Sequence, residues 1–137
     1  MLTEKDYCDY DTCVALKELG FRERCVAYYD TADNVGLLYN TQYTCDVIPC
    51  QYCDLLESRN TATEYEVDVP TLYEAQKWLR EEKGMLIQPT YLELSDEWIC
   101  VIRDKNKRHG YSAQKQKNYE EALLEGIKEA IKILKEK

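Results

Sequence analysis

Three cysteines that lie close together in the chain have the clearest capacity for chemistry. Cys45, Cys50 and Cys53 follow the spacing Cys-x4-Cys-x2-Cys. A Cys-x2-Cys pair can present two thiolates to one zinc ion, because the short link lets both sulfurs face inward. A closed structural site needs a fourth ligand, which another cysteine or the single histidine, His109, could supply. The spacing therefore allows a zinc site, with a loop of free thiols as the alternative.

The same cysteines also allow a redox interpretation. The run from Pro49 to Cys53 is similar to the Cys-Pro-Tyr-Cys site of glutaredoxins, where a helix N-terminus lowers the thiol pKa. A thioredoxin-type site, however, follows the first strand of a βαβ unit. Here a predicted helix and an antiparallel hairpin come first. Zinc binding and thiol redox chemistry thus remain two alternatives for this cluster.

A run of basic residues could contact phosphate, and a tyrosine within it, Tyr111, could stack on a base. The run comprises Lys105, Lys107, Arg108, Lys115 and Lys117. The formal net charge of the whole chain is −8, and an acidic surface repels phosphate. We therefore expect a solvated loop here, with weak nucleic-acid binding through residues 105–117 as the alternative.

The 12 tyrosines favour a different function, since each offers a flat apolar body and a polar tip to a partner. The chain has no acidic calcium loop, His-Glu-x2-His helix or glycine-rich phosphate loop. We therefore predict a non-enzymatic protein, without a cofactor, that binds a basic protein partner. The predicted binding surface consists of Tyr28, Tyr29, Tyr39, Tyr43 and Tyr52. Ordinary packing of the hairpin is the alternative for these tyrosines.

Length and composition indicate one domain over residues 1–137. No apolar run approaches the roughly 20 residues that cross a bilayer, and the N-terminus lacks the pattern of a secretory signal. The seven cysteines are an odd number, which is atypical of a disulfide-stapled secreted domain. We therefore expect a cytoplasmic protein without a membrane segment.

Local patterns predict an α+β fold in which two antiparallel hairpins, with a possible extra strand, pack against three helices. Asp9, Thr71 and Asn118 have the side chains of helix N-caps, and Gly20 and Gly84 suit helix C-termini. The predicted order is α-β-β-(β)-α-β-β-α. An irregular cysteine-containing loop is expected at 44–63, and a polar loop at 104–117.

Three blocks of the sequence also carry a family resemblance. Asp9 to Phe21 is a capped helix that ends in Gly-Phe, Trp78 to Gly84 follows a Val-Pro-Thr entry, and Tyr119 to Ala122 precedes Glu125 to Ile131. In this order and spacing they resemble a group of small uncharacterised proteins of phages, prophages and mobile elements of gut Bacteroidales. The resemblance implies a small accessory protein, and it implies no catalytic residues.

Overall fold

A computed structural model describes residues 4–23, 25, 27–30, 37–39, 66–107 and 110–136. These residues form an α+β fold in which antiparallel strands combine with three α-helices. The helices are α1 (Tyr10–Glu18), α2 (Leu72–Lys83) and α3 (Tyr119–Lys135). The strands are β1 (Ala27–Asp30), β2 (Leu37–Tyr39), β3 (Glu66–Val69), β4 (Met85–Leu92), β5 (Glu97–Asp104) and β6 (Gly110–Ser112).

The described residues belong to two compact units. The N-terminal unit comprises Asp9–Pro70, and the C-terminal unit comprises Met1–Cys8 together with Thr71–Lys137. Each unit contains one three-stranded antiparallel sheet, with the order β2-β1-β3 in the first and β4-β5-β6 in the second. The two predicted hairpins thus each recruit a third strand.

In the N-terminal unit, α1 begins and ends as its sequence predicts. The Asp9 carboxylate accepts a hydrogen bond from the Thr12 amide at 2.9 Å. Gly20 has a φ of +105°, and the Phe21 amide donates to the Leu16 carbonyl at 2.9 Å. This is a Schellman motif, in which glycine relieves the backbone strain of the turn. Helix α1 then packs on β3, where Val67 and Val69 are buried.

In the C-terminal unit, α2 opens with the predicted capping box. The Thr71 hydroxyl accepts from the Glu74 amide at 3.1 Å, and the Thr71 amide donates to the Glu74 carboxylate at 3.0 Å. Two orphan amides are satisfied in this way. The apolar stripe of the helix, which includes Leu72 and Leu79, is buried against β4 and α3.

Helix α3 lies across β4 and β5, and a glycine permits its close approach. Asn118 caps the helix by accepting from the Glu121 amide at 2.8 Å. A Cβ atom at Gly126 would lie 2.2 Å from Sγ of Cys100 and 2.9 Å from Cγ2 of Ile87. Only glycine therefore fits at this contact without a shift of the helix or the sheet.

Strand β4 is an edge strand whose backbone groups are partly blocked. The Lys105 amide donates to the Gly84 carbonyl, and antiparallel bonding alternates along the strand. Ile87 and Pro89 therefore direct their backbone groups to the free edge. Pro89 has no amide hydrogen to offer, and Nε2 of Gln76 donates to the Ile87 carbonyl at 2.7 Å. Both features oppose the pairing of another strand at this edge.

The main departure from the sequence expectation is at 104–117, which was expected to be a loop. Three of these residues form β6, with Tyr111 opposite Ile102 on β5. The Ala113 amide donates to the Cys100 carbonyl, whereas Gln116 exchanges two backbone bonds with Trp98. One extra residue is accommodated between these pairs, which makes a β-bulge. The predicted loop at 44–63 lies outside the described residues.

Candidate functional site

The cysteine cluster predicted from the sequence lies outside the part of the chain that the structure describes. This applies to Cys45, Cys50 and Cys53, so zinc binding and redox chemistry there stay predictions. Within the described ranges, no group of three or more histidine, cysteine or acidic residues could hold a metal ion. Elemental analysis of protein purified without chelator tests the zinc prediction directly.

Three of the five predicted tyrosines lie on strands of one sheet, Tyr28 and Tyr29 on β1 and Tyr39 on β2. Ala27 is opposite Tyr39 on β2 and opposite Val69 on β3, and Tyr29 is opposite Val67. Tyr28 is opposite Leu38 on β2 and Asp68 on β3. Tyr43 and Tyr52 fall outside the described residues.

The predicted basic run is divided between the two ends of the C-terminal sheet. Lys105 and Lys107 follow β5, where Lys105 bonds to Gly84. Lys115 precedes α3, beside the Trp98 end of β5. At about 3.3 Å per residue, β5 separates the two ends by roughly 20 Å. The run therefore does not form one patch among the described residues, and Arg108 lies outside them.

A cluster of aromatic rings that the sequence analysis did not single out lies at the Trp98 end of this sheet. Tyr91 and Trp98 are opposite each other on β4 and β5, with ring centres 5.2 Å apart. Trp98 and Tyr119 form an edge-to-face pair at 5.3 Å and 85°. Such offset and edge contacts are the favoured arrangements of aromatic pairs. We call Tyr91, Trp98 and Tyr119 the aromatic row.

Three local structures hold the aromatic row in place. The register of β4 and β5 sets Tyr91 against Trp98. The two backbone bonds between Trp98 and Gln116, at 2.8 Å each, fix the approach to α3. The N-cap Asn118 then makes Tyr119 the first residue of the helix. Each ring is thus attached to a residue of a strand or a helix, and these elements fix the positions of the rings.

Tyr91 combines exposure with a fixed hydroxyl. Its side chain is 44% exposed, and its hydroxyl donates to Oδ1 of Asp96 at 2.7 Å. Asp96 has a φ of +54° in the tight turn between β4 and β5, which brings the carboxylate back toward Tyr91. This hydrogen bond is the main reason why the pKa of Tyr91 is raised above 10.0. The ring and the carboxylate therefore act as one exposed aromatic–anionic pair.

A second pair of the same kind involves Tyr73, at the start of α2. Tyr73 is 39% exposed, and its hydroxyl donates to Oδ1 of Asp6 at 3.1 Å. Burial is the largest cause of its raised pKa, followed by Asp6 and then by the nearby charges of Glu120 and Tyr119. These influences place Tyr73 near the Tyr119 end of the aromatic row. One exposed tyrosine–aspartate pair thus includes the Tyr91 end of the row, and a second lies near its Tyr119 end.

The local charge around the aromatic row is mainly negative. Asp96 is bonded to Tyr91, Glu120 follows Tyr119 in the chain, and Asp6 is bonded to the neighbouring Tyr73. Lys117 pairs at 4.0 Å with Glu97, the residue that precedes Trp98. Because Lys117 is 82% exposed, this ion pair is screened and adds little stability. The surface therefore offers aromatic faces together with hydrogen-bond acceptors.

Cys100 is the cysteine nearest to the row along the chain, and it is chemically inert in the fold. Its side chain is fully buried, and burial raises its pKa to about 12. Because the thiolate is the nucleophilic form, this thiol is unreactive at neutral pH. Cys100 serves as a small apolar residue of the core.

The sequence contained one signal for the aromatic row. Tyr91 and Trp98 flank the predicted turn at Ser95 and Asp96, and Tyr119 follows the predicted N-cap Asn118. Aromatic residues that flank a turn can pair across it. The signal was incomplete, because the contact with Tyr119 depends on the pairing of Trp98 with Gln116.

Comparison with models of protein families, with curated proteins and with solved structures finds no match to this chain. A search of the described helices for membrane spans finds none that is long and apolar enough to cross a bilayer.

Proposed function

We propose that this chain is a non-enzymatic accessory protein of phage or mobile-element origin that binds another protein through the aromatic row. The origin follows from the resemblance of its three sequence blocks. The observation that carries the binding function is the aromatic row, in which Tyr91 is exposed with Asp96 bonded to it and Trp98 and Tyr119 are half-buried. Aromatic side chains on a rigid support are the typical anchors of protein interfaces.

The charge of this surface supports a protein segment over nucleic acid as the partner. Asp96 and Glu120 would repel a phosphate backbone. Of the basic run, Lys105 and Lys107 lie at the far end of β5, Lys117 at the Trp98 end is paired with Glu97, and Lys115 also lies at the Trp98 end. The tyrosine hydroxyls and carboxylates suit the polar rim of a protein interface.

The two tryptophans provide a test with an internal control. Protein labelled with 5-fluorotryptophan gives separate ¹⁹F resonances for Trp98, in the row, and for Trp78, which is buried in the core. The W78F variant assigns the two signals. The probes are short capped peptides of cationic, anionic and uncharged composition, together with a double-stranded DNA and an RNA oligonucleotide.

We expect at least one peptide class to move the Trp98 resonance in a saturable manner while the Trp78 resonance stays unchanged. Y91A should weaken this binding. K132A is the control, because Lys132 is exposed near the C-terminus of α3, whereas Tyr119 is the first residue of that helix. The proposal is overturned if no peptide moves Trp98, or if only the oligonucleotides do.

A further inference from the structure

We infer that the partner segment presents an arginine whose guanidinium stacks on the ring of Tyr91 and donates hydrogen bonds to Asp96. This inference rests on the proposed function, because it assigns the chemistry that the aromatic row recognises. Three observations support it, and they concern the acceptor capacity of Asp96, the exposed ring and the absence of an internal cation.

Asp96 has unused capacity to accept hydrogen bonds. An ionised carboxylate offers about four lone-pair sites on two oxygens. The Tyr91 hydroxyl takes one of these, on Oδ1, at 2.7 Å. Within the described part of the chain, Asp96 has no ion pair with a lysine or arginine. A cationic donor from another molecule can therefore complete the site.

The ring of Tyr91 is available on the same surface. With 44% of the side chain exposed, part of the ring faces solvent beside the carboxylate. Its hydroxyl donates to an anion, which increases the electron density of the ring. An electron-rich aromatic face attracts a cation at about 6 Å or less from its centre.

The described residues include a contact between a cation and an aromatic ring outside the aromatic row. Nζ of Lys83 lies 5.6 Å from the centre of the Trp78 ring. No such internal cation sits on Tyr91, Trp98 or Tyr119 among the residues that the structure describes. The aromatic row thus offers rings that can bind a cation as Trp78 binds Lys83, and no described lysine or arginine lies on them.

Arginine fits this pair better than lysine does. A guanidinium is planar, so it can stack on a ring while its N–H groups point sideways to a carboxylate. An ammonium group is compact and strongly hydrated, and it cannot make both contacts over a flat surface.

The experiment uses three capped peptides with one uncharged background. They carry two arginines, two lysines or two citrullines, since citrulline keeps the shape of arginine without its charge. Binding to the full chain is followed by the ¹⁹F resonance of Trp98, with that of Trp78 as the internal control. We expect the arginine peptide to bind about tenfold more tightly than the citrulline peptide, and the lysine peptide to be intermediate.

The matched variants are D96N and E82Q, which change the net charge equally. Asparagine tolerates the left-handed backbone of position 96 and keeps an oxygen that accepts from Tyr91. Glu82 is an exposed residue near the C-terminus of α2, away from Tyr73 at its start. D96N should weaken binding of the arginine peptide about fivefold to tenfold and leave binding of the citrulline peptide unchanged. E82Q should have no effect.

The outcomes separate this inference from the proposed function. If the citrulline peptide binds as tightly as the arginine peptide, or if D96N leaves arginine binding unchanged, the arginine inference is wrong. If only an uncharged or anionic peptide moves Trp98, the inference also fails, whereas the proposed binding surface stands. If no peptide moves Trp98, the proposed function itself fails.

Discussion

The contact between α3 and the sheet can be tested by adding a single methyl group. In Gly126→Ala, the new Cβ would lie 2.2 Å from Sγ and 2.9 Å from Cβ of Cys100, and 2.9 Å from Cγ2 of Ile87. Ordinary van der Waals contact begins at 3.4 Å. Because Cys100 and Ile87 are buried, neither side chain can move into solvent. Helix α3 or the sheet must therefore shift.

The size of the effect follows from two opposing contributions. Overpacking of a core costs about 1–3 kcal/mol of stability. Because the added methyl group makes three close contacts, we expect a cost of about 3 kcal/mol at this site. Alanine stabilises a helix interior by about 1 kcal/mol relative to glycine. We therefore expect Gly126→Ala to lower the free energy of unfolding by about 2 kcal/mol and Tm by roughly 5–10 °C.

Urea denaturation followed by circular dichroism measures this change, and a double-mutant cycle shows its cause. Cys100→Ala removes the sulfur that the new methyl would meet. In the Cys100→Ala background, Gly126→Ala should lower the free energy of unfolding by at least about 1 kcal/mol less than it does in the native background. Lys132→Ala, on an exposed position of α3, should change stability by less than about 0.5 kcal/mol. A Gly126→Ala variant as stable as the native protein would refute the close packing.

Three further predictions concern the caps and the buried polar groups. Thr71→Ala should cost about 1 kcal/mol in chemical denaturation because the capping box is lost, whereas Glu74→Gln, which keeps an acceptor, should be nearly neutral. Thr12→Val should leave the free energy of unfolding unchanged or raise it by up to about 1 kcal/mol, because Oγ1 of the buried Thr12 has no partner among the described residues. A decrease of more than about 1 kcal/mol would show that the Thr12 hydroxyl is hydrogen-bonded. The Cys100 pKa of about 12 in the folded chain exceeds its ordinary value of 9.0, so above pH 9 the unfolded chain releases a proton that the folded chain retains. Stability should then fall as pH rises from 9, by up to about 1.4 kcal/mol per pH unit more than in Cys100→Ala, and equal slopes in the two proteins would contradict this.

The elements that were predicted correctly depend on contacts close in sequence. A capping box joins residues three apart, so Thr71 and Glu74 predict the start of α2 without any knowledge of tertiary contacts. The Asp9 cap and the Gly20 turn of α1 are equally local. The α+β class and the order of the elements followed from such signals.

The features that were not predicted depend on distant pairing. Strand β6 has three residues and one large apolar side chain, Tyr111, so no periodicity marks it. Its formation divides the basic run, because a strand now separates Lys107 from Lys115. The aromatic row could not be assembled either, since its contact with Tyr119 follows from the same pairing at Gln116.

One edge of β4 pairs with no other strand among the described residues. Pro89 has no amide hydrogen and the Ile87 carbonyl is already bonded to Gln76, so another strand could not form regular backbone hydrogen bonds at these two residues. Stacking of copies along this edge into a growing fibre is therefore disfavoured, even in concentrated solution. A molecule that attaches along this edge would therefore contact side chains in place of the backbone groups of Ile87 and Pro89.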